Sequence, residues 1–321
     1  MANEKKLQQW VVLGTGGTIA GTAASASDHT GYTAGQLGVQ ALLDAVPGLT
    51  EALAGDTLLC EQVAQLDSKD MDHATWRALA LRCDHWLAQP EVGGIVITHG
   101  TDTLEETAWF LQRVLDHSKP VVMTCAMRPA TALMPDGPQN LLDALVLVRE
   151  PAARGVLVVC AGRIHGAREV CKVHPYRLDA FSSGEAGPRG WVEQGRVRWA
   201  GQQDAAQEAG RAIQALQRPV AEWPWVEVLT SHATAKATSV DALVAAGVQG
   251  LVVAATGNGT VHAQWEQALV RARAKGVVVW ISTRCEQGQV VRPQSEACAW
   301  GVFTDLPALK ARISLMLELM K

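Results

Sequence analysis

Trp10-Val11-Val12-Leu13-Gly14-Thr15-Gly16-Gly17-Thr18-Ile19-Ala20-Gly21 begins as a short apolar, β-branched run and passes at once into a glycine-rich turn. A brief apolar run without polar alternation reads as a strand buried on both faces, the mark of a parallel sheet covered by helices. The same signature recurs in GIVIT ending at Thr98, PVVMT from Pro120, GVLVVC from Gly155, GLVVAA from Gly250 and GVVVWIS from Gly276. Between these runs lie stretches with helical spacing: Val39, Leu42, Leu43, Val46; Leu104, Ala108, Leu111, Leu115; and Trp265, Ala268, Leu269, Ala272. Such alternation predicts a doubly wound α/β fold. The expected architecture is a larger domain with a parallel-rich sheet flanked by helices over 1–204, a linker over 205–224, and a smaller α/β domain over 225–321. A polar stretch from Gly201 to Gln217, followed by Pro219 and Pro224, marks the linker, and WVEVLT starts the second α/β pattern. A final amphipathic helix is expected to carry Leu306, Leu309, Ile313 and Met316, capped by Thr304 or Asp305 with Pro307 in its first turn.

At 321 residues the chain exceeds the size at which one core keeps growing, so two domains fit its length. The net charge of -4 is spread over both signs, with no basic run longer than Lys5-Lys6, and gives no footprint for nucleic acid or an anionic membrane. A small-molecule partner is expected instead. The seven cysteines, Cys60, Cys83, Cys125, Cys160, Cys171, Cys285 and Cys298, form no CxxC pair and read as free buried thiols. That odd count, and a start without the apolar stretch of a secretion signal, point to the cytoplasm. No apolar run approaches the roughly 20 residues that cross a bilayer.

In open α/β sheets, ligands bind beyond the carboxyl ends of the strands, which directs attention to the residues after each run. After WVVL, the glycines allow backbone N–H groups to approach a ligand, and Thr18 offers a hydroxyl. A dinucleotide loop does not fit: the GxGxxG spacing fails at Ile19 counted from Gly14 and at Thr18 counted from Gly16. After GIVIT comes His99-Gly100-Thr101-Asp102-Thr103-Leu104-Glu105-Glu106. Here Thr101 or Asp102 can cap the next helix while Glu105 and Glu106 favour its positive end, or an ionised Asp102 can pair with a substrate ammonium. Lys172, in Arg168-Glu169-Val170-Cys171-Lys172-Val173-His174, reads either as a solvated surface lysine or as a proton relay beside Asp102 and a threonine. His165 and His174 lack metal-ligand spacing, so no metal is expected.

Taken in order, GTGGTIAG, GYTAGQLGVQALLDAVP, DSKDMD, VITHGTDTLEETAWFL, PVVMTCAMRPATALMPDGPQN and GAREVCKVH resemble the bacterial L-asparaginases and glutaminase-asparaginases, from about Trp10 to Lys172. A weaker likeness continues through GNGT at Gly257, and the wording is nearer to the usually periplasmic branch. The resemblance implies an asparagine amidohydrolase without cofactor, active as a homotetramer of intimate dimers whose sites form between the N-terminal domain of one subunit and the C-terminal domain of another. It implies Thr18 as the acylated nucleophile in a turn with Gly17, Tyr32 as a lid tyrosine touching it, and Thr101, Asp102 and Lys172 as a second catalytic cluster. Gly17, Ser68, Lys69, Thr101 and Asp102 are the expected substrate-binding residues, with Asp102 at the substrate α-amine and Ser68 at its α-carboxylate. Whether Tyr32 or the Lys172 cluster activates Thr18 stays open. Three positions depart from the family wording: Lys69 stands where glutamine is common, Thr234 where a neighbour's asparagine is common, and Gln294, close to Glu296, where a neighbour's glutamate is common. These departures keep a second class in view, an amino-acid-binding regulator on the same fold.

Overall fold

A computed structural model of the chain describes residues 8–116, 118–201, 212–291 and 298–321. Two compact units emerge, Met1–Ile213 and Gln214–Lys321. In the first unit the strands are β1 (Gln9–Gly16), β2 (Thr57–Leu66), β3 (Val92–Thr98), β4 (Val121–Thr124), β5 (Val156–Cys160), β6 (Arg163–Gly166), β7 (Cys171–Lys172), β8 (Phe181–Ser182), β9 (Gly190–Glu193) and β10 (Arg196–Trp199). Its helices are α1 (Val39–Asp44), α2 (Leu49–Leu53), α3 (His73–Leu87), α4 (Leu104–Val114) and α5 (Gly137–Val148). Eight strands join in the order β10-β9-β6-β5-β4-β3-β1-β2. From β2 to β5 the neighbours run parallel, whereas β6, β9 and β10 continue the sheet antiparallel. β7 and β8 form a separate two-stranded ribbon.

The interior strands are the apolar runs of the sequence: Val11, Val12, Leu13, Ile95, Val96 and Ile97 are wholly buried. The edge strand β2 carries Glu61, Gln62 and Gln65 and is only partly buried along its length. After β1 the chain adds β2 on one side and then returns to place β3 on the other. That reversal opens a crevice between the carboxyl ends of β1 and β3, the place where open α/β sheets bind ligands.

The second unit is a parallel sheet of β11 (Val226–Thr230), β12 (Gly250–Ala255), β13 (Val278–Thr283) and β14 (Val302–Phe303), in that order. Its helices are α6 (Thr238–Ala245), α7 (Ala263–Ala274) and α8 (Ala308–Leu319), and α8 packs on β11, β12 and β13.

Three local expectations are corrected. Helix α4 is capped at Thr103 without a side-chain bond, because Thr101 and Asp102, in the bend before it, give their oxygens to Lys172. Pro307 is the N-cap of α8 and not part of its first turn, while the Thr304 hydroxyl accepts the Leu306 N–H upstream of the helix. Since Leu306 precedes the helix, the buried face is set by Ala311, Ile313, Leu315 and Met316, and Leu309 is exposed. The cysteines are all free, yet only Cys83, Cys125 and Cys160 are buried; Cys285 is exposed.

Candidate active site

Two glycines shape the turn after β1. Gly16 and Gly17 have φ of 99° and 82°, a region that side chains rarely enter, and a Cβ on Gly17 would collide with the backbone of Gly100. The turn is pinned to its neighbours where Gly17 N–H donates to Leu66 O and Gly35 N–H donates to Gly17 O. It ends in one 3₁₀ turn, Thr18–Ala20, in which Thr18 is buried. The following loop folds back through the Thr22–Thr33 bridge and sets Tyr32 across the threonine, with 2.7 Å between Thr18 Oγ1 and Tyr32 Oη.

Beyond β3, Gly100 lets three turns close on one another, since a Cβ there would strike Ser68 Oγ. Ser68 is buried, its hydroxyl accepts the Asp102 N–H at 3.2 Å, and its carbonyl accepts from Thr103 Oγ1 at 2.7 Å. The serine expected at the substrate carboxylate therefore also braces the turn that bears Thr101 and Asp102. Lys172, on the ribbon strand β7, sends Nζ to Thr101 Oγ1 at 2.8 Å and to Asp102 Oδ1 at 2.6 Å. Its side chain is 17% exposed and that of Asp102 53%, so the lysine is sunk and the carboxylate faces outward. The surface reading of Lys172 is excluded by that burial.

Thus the fold gathers the sequence candidates into two groups at the β1/β3 crevice: Thr18 with Tyr32, and Thr101 with Asp102 and Lys172. Each group supplies hydroxyls, and the second adds an ammonium beside a carboxylate, the equipment of acyl transfer with proton relay. Lys69 behaves otherwise. Its Nζ pairs with Asp67 at 2.5 Å and Asp70 at 3.5 Å, and its side chain is 61% exposed. The Asp67 carboxylate beside it raises the lysine pKa. Thr234 lies in the second unit in a left-handed conformation, φ 63°, its hydroxyl donating to Ala233 O. Gln294 and Glu296 lie outside the described residues.

Two residues beside the clusters gave little sign of themselves in sequence. His99 is fully buried, with Nδ1 2.7 Å from Gly100 O, and burial lowers its pKa to about 4, so the ring is neutral. Glu105 is also buried, and its Oε2 accepts the backbone N–H of Lys172 at 3.2 Å. A glutamate in a first helical turn reads as a partner of the helix dipole, and nothing in the spacing announces its burial.

The family described as "Asparaginase, N-terminal" matches residues 10–205, and "Glutaminase/Asparaginase C-terminal domain" matches residues 225–321. L-asparaginase 2 of Bacillus subtilis is 37% identical, spanning all of this chain and 85% of its own. The glutaminase-asparaginase of Pseudomonas fluorescens is 35% identical over 98% of this chain and 87% of its own. Among solved structures, a probable cytoplasmic L-asparaginase from Campylobacter jejuni superposes with a TM-score of 0.89 at 36% identity, covering 98% of this chain and 95% of that one.

Proposed function

Since the chain belongs to the asparaginase family, we propose that it is an L-asparagine amidohydrolase working through an acyl-enzyme on Thr18, with glutamine as a secondary substrate. The observation that carries this reading is the bridging of Thr101 Oγ1 and Asp102 Oδ1 by the sunken ammonium of Lys172, at the same crevice as the Thr18–Tyr32 pair. Thr18 Oγ1 attacks the side-chain amide carbon, and its proton leaves toward Tyr32 Oη, the group within 2.7 Å. As Tyr32 takes the Thr18 proton, its own phenolic proton passes on, by way of the Thr101–Lys172 pair, to the departing amide nitrogen, so that Tyr32 and Lys172 return to the protonation state in which they began. In the second half-reaction the attacking water gives a proton back to Thr18 Oγ1. Ammonia leaves, a water adds to the Thr18 ester, and aspartate is released, so that atoms and charge balance with water as the sole co-reactant. Asp102, facing outward, holds the substrate α-amine and the Ser68 hydroxyl its α-carboxylate. One further methylene in such a site shifts discrimination by only about 1–3 kcal/mol, which leaves room for glutamine.

The catalytic residues all fall within 1–204, which we assign as the catalytic domain, joined by 205–224 to the C-terminal domain 225–321. A homotetramer of intimate dimers and a cytoplasmic location complete the proposal. Among the described residues, no helix is long and apolar enough to cross a membrane. Sedimentation equilibrium tests the tetramer, which a monomer mass would overturn, and cell fractionation tests the compartment. The decisive assay is ammonia release from L-asparagine, L-glutamine, D-asparagine and succinamate. Release from L-asparagine above the others is expected; binding without release from any of them would return the protein to the regulator class.

A further inference from the structure

Lys172 sits on a strand of two residues, which pairs with β8 through Cys171–Ser182 and Lys172–Phe181. So short a ribbon offers one edge of support to the residue whose ammonium must meet Thr101 and Asp102. The Lys172 N–H donates away from β8, to Glu105 Oε2, across 67 positions of sequence. Glu105 is the second residue of α4, directly beyond the bend that carries Thr101 and Asp102, and it is 8% exposed. A helix dipole is served as well by an exposed carboxylate, so the dipole does not account for this burial, and burying a charge is costly unless it is bonded. We propose that Glu105 is a positioning residue, clamping the Lys172 backbone to the start of α4 so that the lysine, Thr101 and Asp102 move as one rigid group. This inference rests on the amidohydrolase reading, for it assigns Glu105 no contact with substrate and an effect on the reaction by way of Lys172.

The test compares Glu105→Gln, whose amide oxygen keeps the reach of the carboxylate, with Glu105→Asp, which withdraws the acceptor by one methylene while keeping the charge. Glu105→Asp is expected to lower kcat for asparagine by about tenfold or more, with KM changed by less than about threefold, because misplacement of a proton-relay group acts on the transition state. Glu105→Gln is expected to keep kcat within about threefold of wild type. Thermal unfolding of both variants accompanies the kinetics, and a structural role would move Tm and leave the kcat order of the folded proteins unchanged. An undiminished rate in Glu105→Asp, or an equal fall in both variants, overturns the clamp. A wild-type protein that releases no ammonia from asparagine overturns the functional reading instead, whereas activity in wild type with either of the former results overturns the clamp alone.

Discussion

Thr18 is placed by the two glycines of its turn, so removing its hydroxyl costs the 2.7 Å contact with Tyr32 Oη while leaving the turn itself in place. Thr18→Val keeps the branched shape inside a buried site, and the expected outcome is a fall in kcat by several orders of magnitude at unchanged Tm. Ammonia release at the wild-type rate would strip Thr18 of its role. Lys172→Met is expected to lower kcat far more than it raises KM, because a proton-relay group, here with its Nζ on Thr101 and Asp102, acts on the transition state. Asp102→Ala should damage both constants, since the exposed carboxylate is the partner assigned to that amine; steady-state kinetics on asparagine separates the two patterns. Lys69 raises the opposite expectation. An inward ammonium would repel the substrate amine by about 4 kcal/mol at 4 Å in a partly shielded site, but this lysine is spent on Asp67 and Asp70 in solvent. Lys69→Gln should leave KM for asparagine within about twofold, since an exposed ion pair of this kind contributes little. A clearly lower KM would show that the lysine turns inward when substrate binds.

At the scale of elements, the active crevice depends on loops approaching more closely than side chains permit. Gly17→Ala puts a Cβ into the Gly100 backbone at a φ of 82°, so the turn after β1 or the one after β3 must shift. The expected cost is about 2–4 kcal/mol of stability from left-handed strain plus overpacking, with a larger proportional loss of kcat; urea unfolding and ammonia release read the two. Wild-type stability would show that the turns have slack. Legibility follows the same physics. Strands buried on both faces announce themselves as unbroken apolar runs, and β1, β3, β4, β5, β12 and β13 were all readable. The edge strand β2, with Glu61 and Gln62 among its apolar residues, and the antiparallel β6, β9 and β10 carry no such run. Caps misled for a different reason: Thr101 and Asp102 are good capping types, but their oxygens have a stronger partner in an ammonium 70 residues away. Long-range bonds of that kind leave no period in a sequence. The glycine words and threonines could be read as a site from local chemistry, whereas the meeting of Lys172 with Asp102 entered only through resemblance.

For the molecule as a whole, acidification couples to folding through the buried His99, one residue beyond β3. Its ring stays neutral down to about pH 4 in the fold, whereas an unfolded histidine takes up a proton near 6.5. Above pH 6.5 both states leave it neutral and it contributes no pH dependence. As pH falls from 6.5 to 4 the unfolded chain binds a proton that the folded one refuses, and stability declines by about 3 kcal/mol in total, from ~1.4 kcal/mol per unit. Below 4 the term is constant. Paired carboxylates act in a lower window. Asp72, held below the usual range by the Thr75 backbone N–H, and Glu61, held down by Arg82, contribute stability above the ordinary carboxylate pKa and lose it as pH falls through their depressed values. Asp143 carries the opposite sign, since burial raises its pKa and its protonation on acidification favours the fold. The histidine window therefore opens first. Chemical denaturation of wild type and His99→Gln at half-unit steps from pH 7 to 4.5 should give a clear downward slope of unfolding free energy in wild type and a much flatter one in the variant, whatever their absolute stabilities. Equal slopes would mean that His99 gains a proton in the fold as readily as in the unfolded chain, and that the acid lability of this protein lies in its carboxylates.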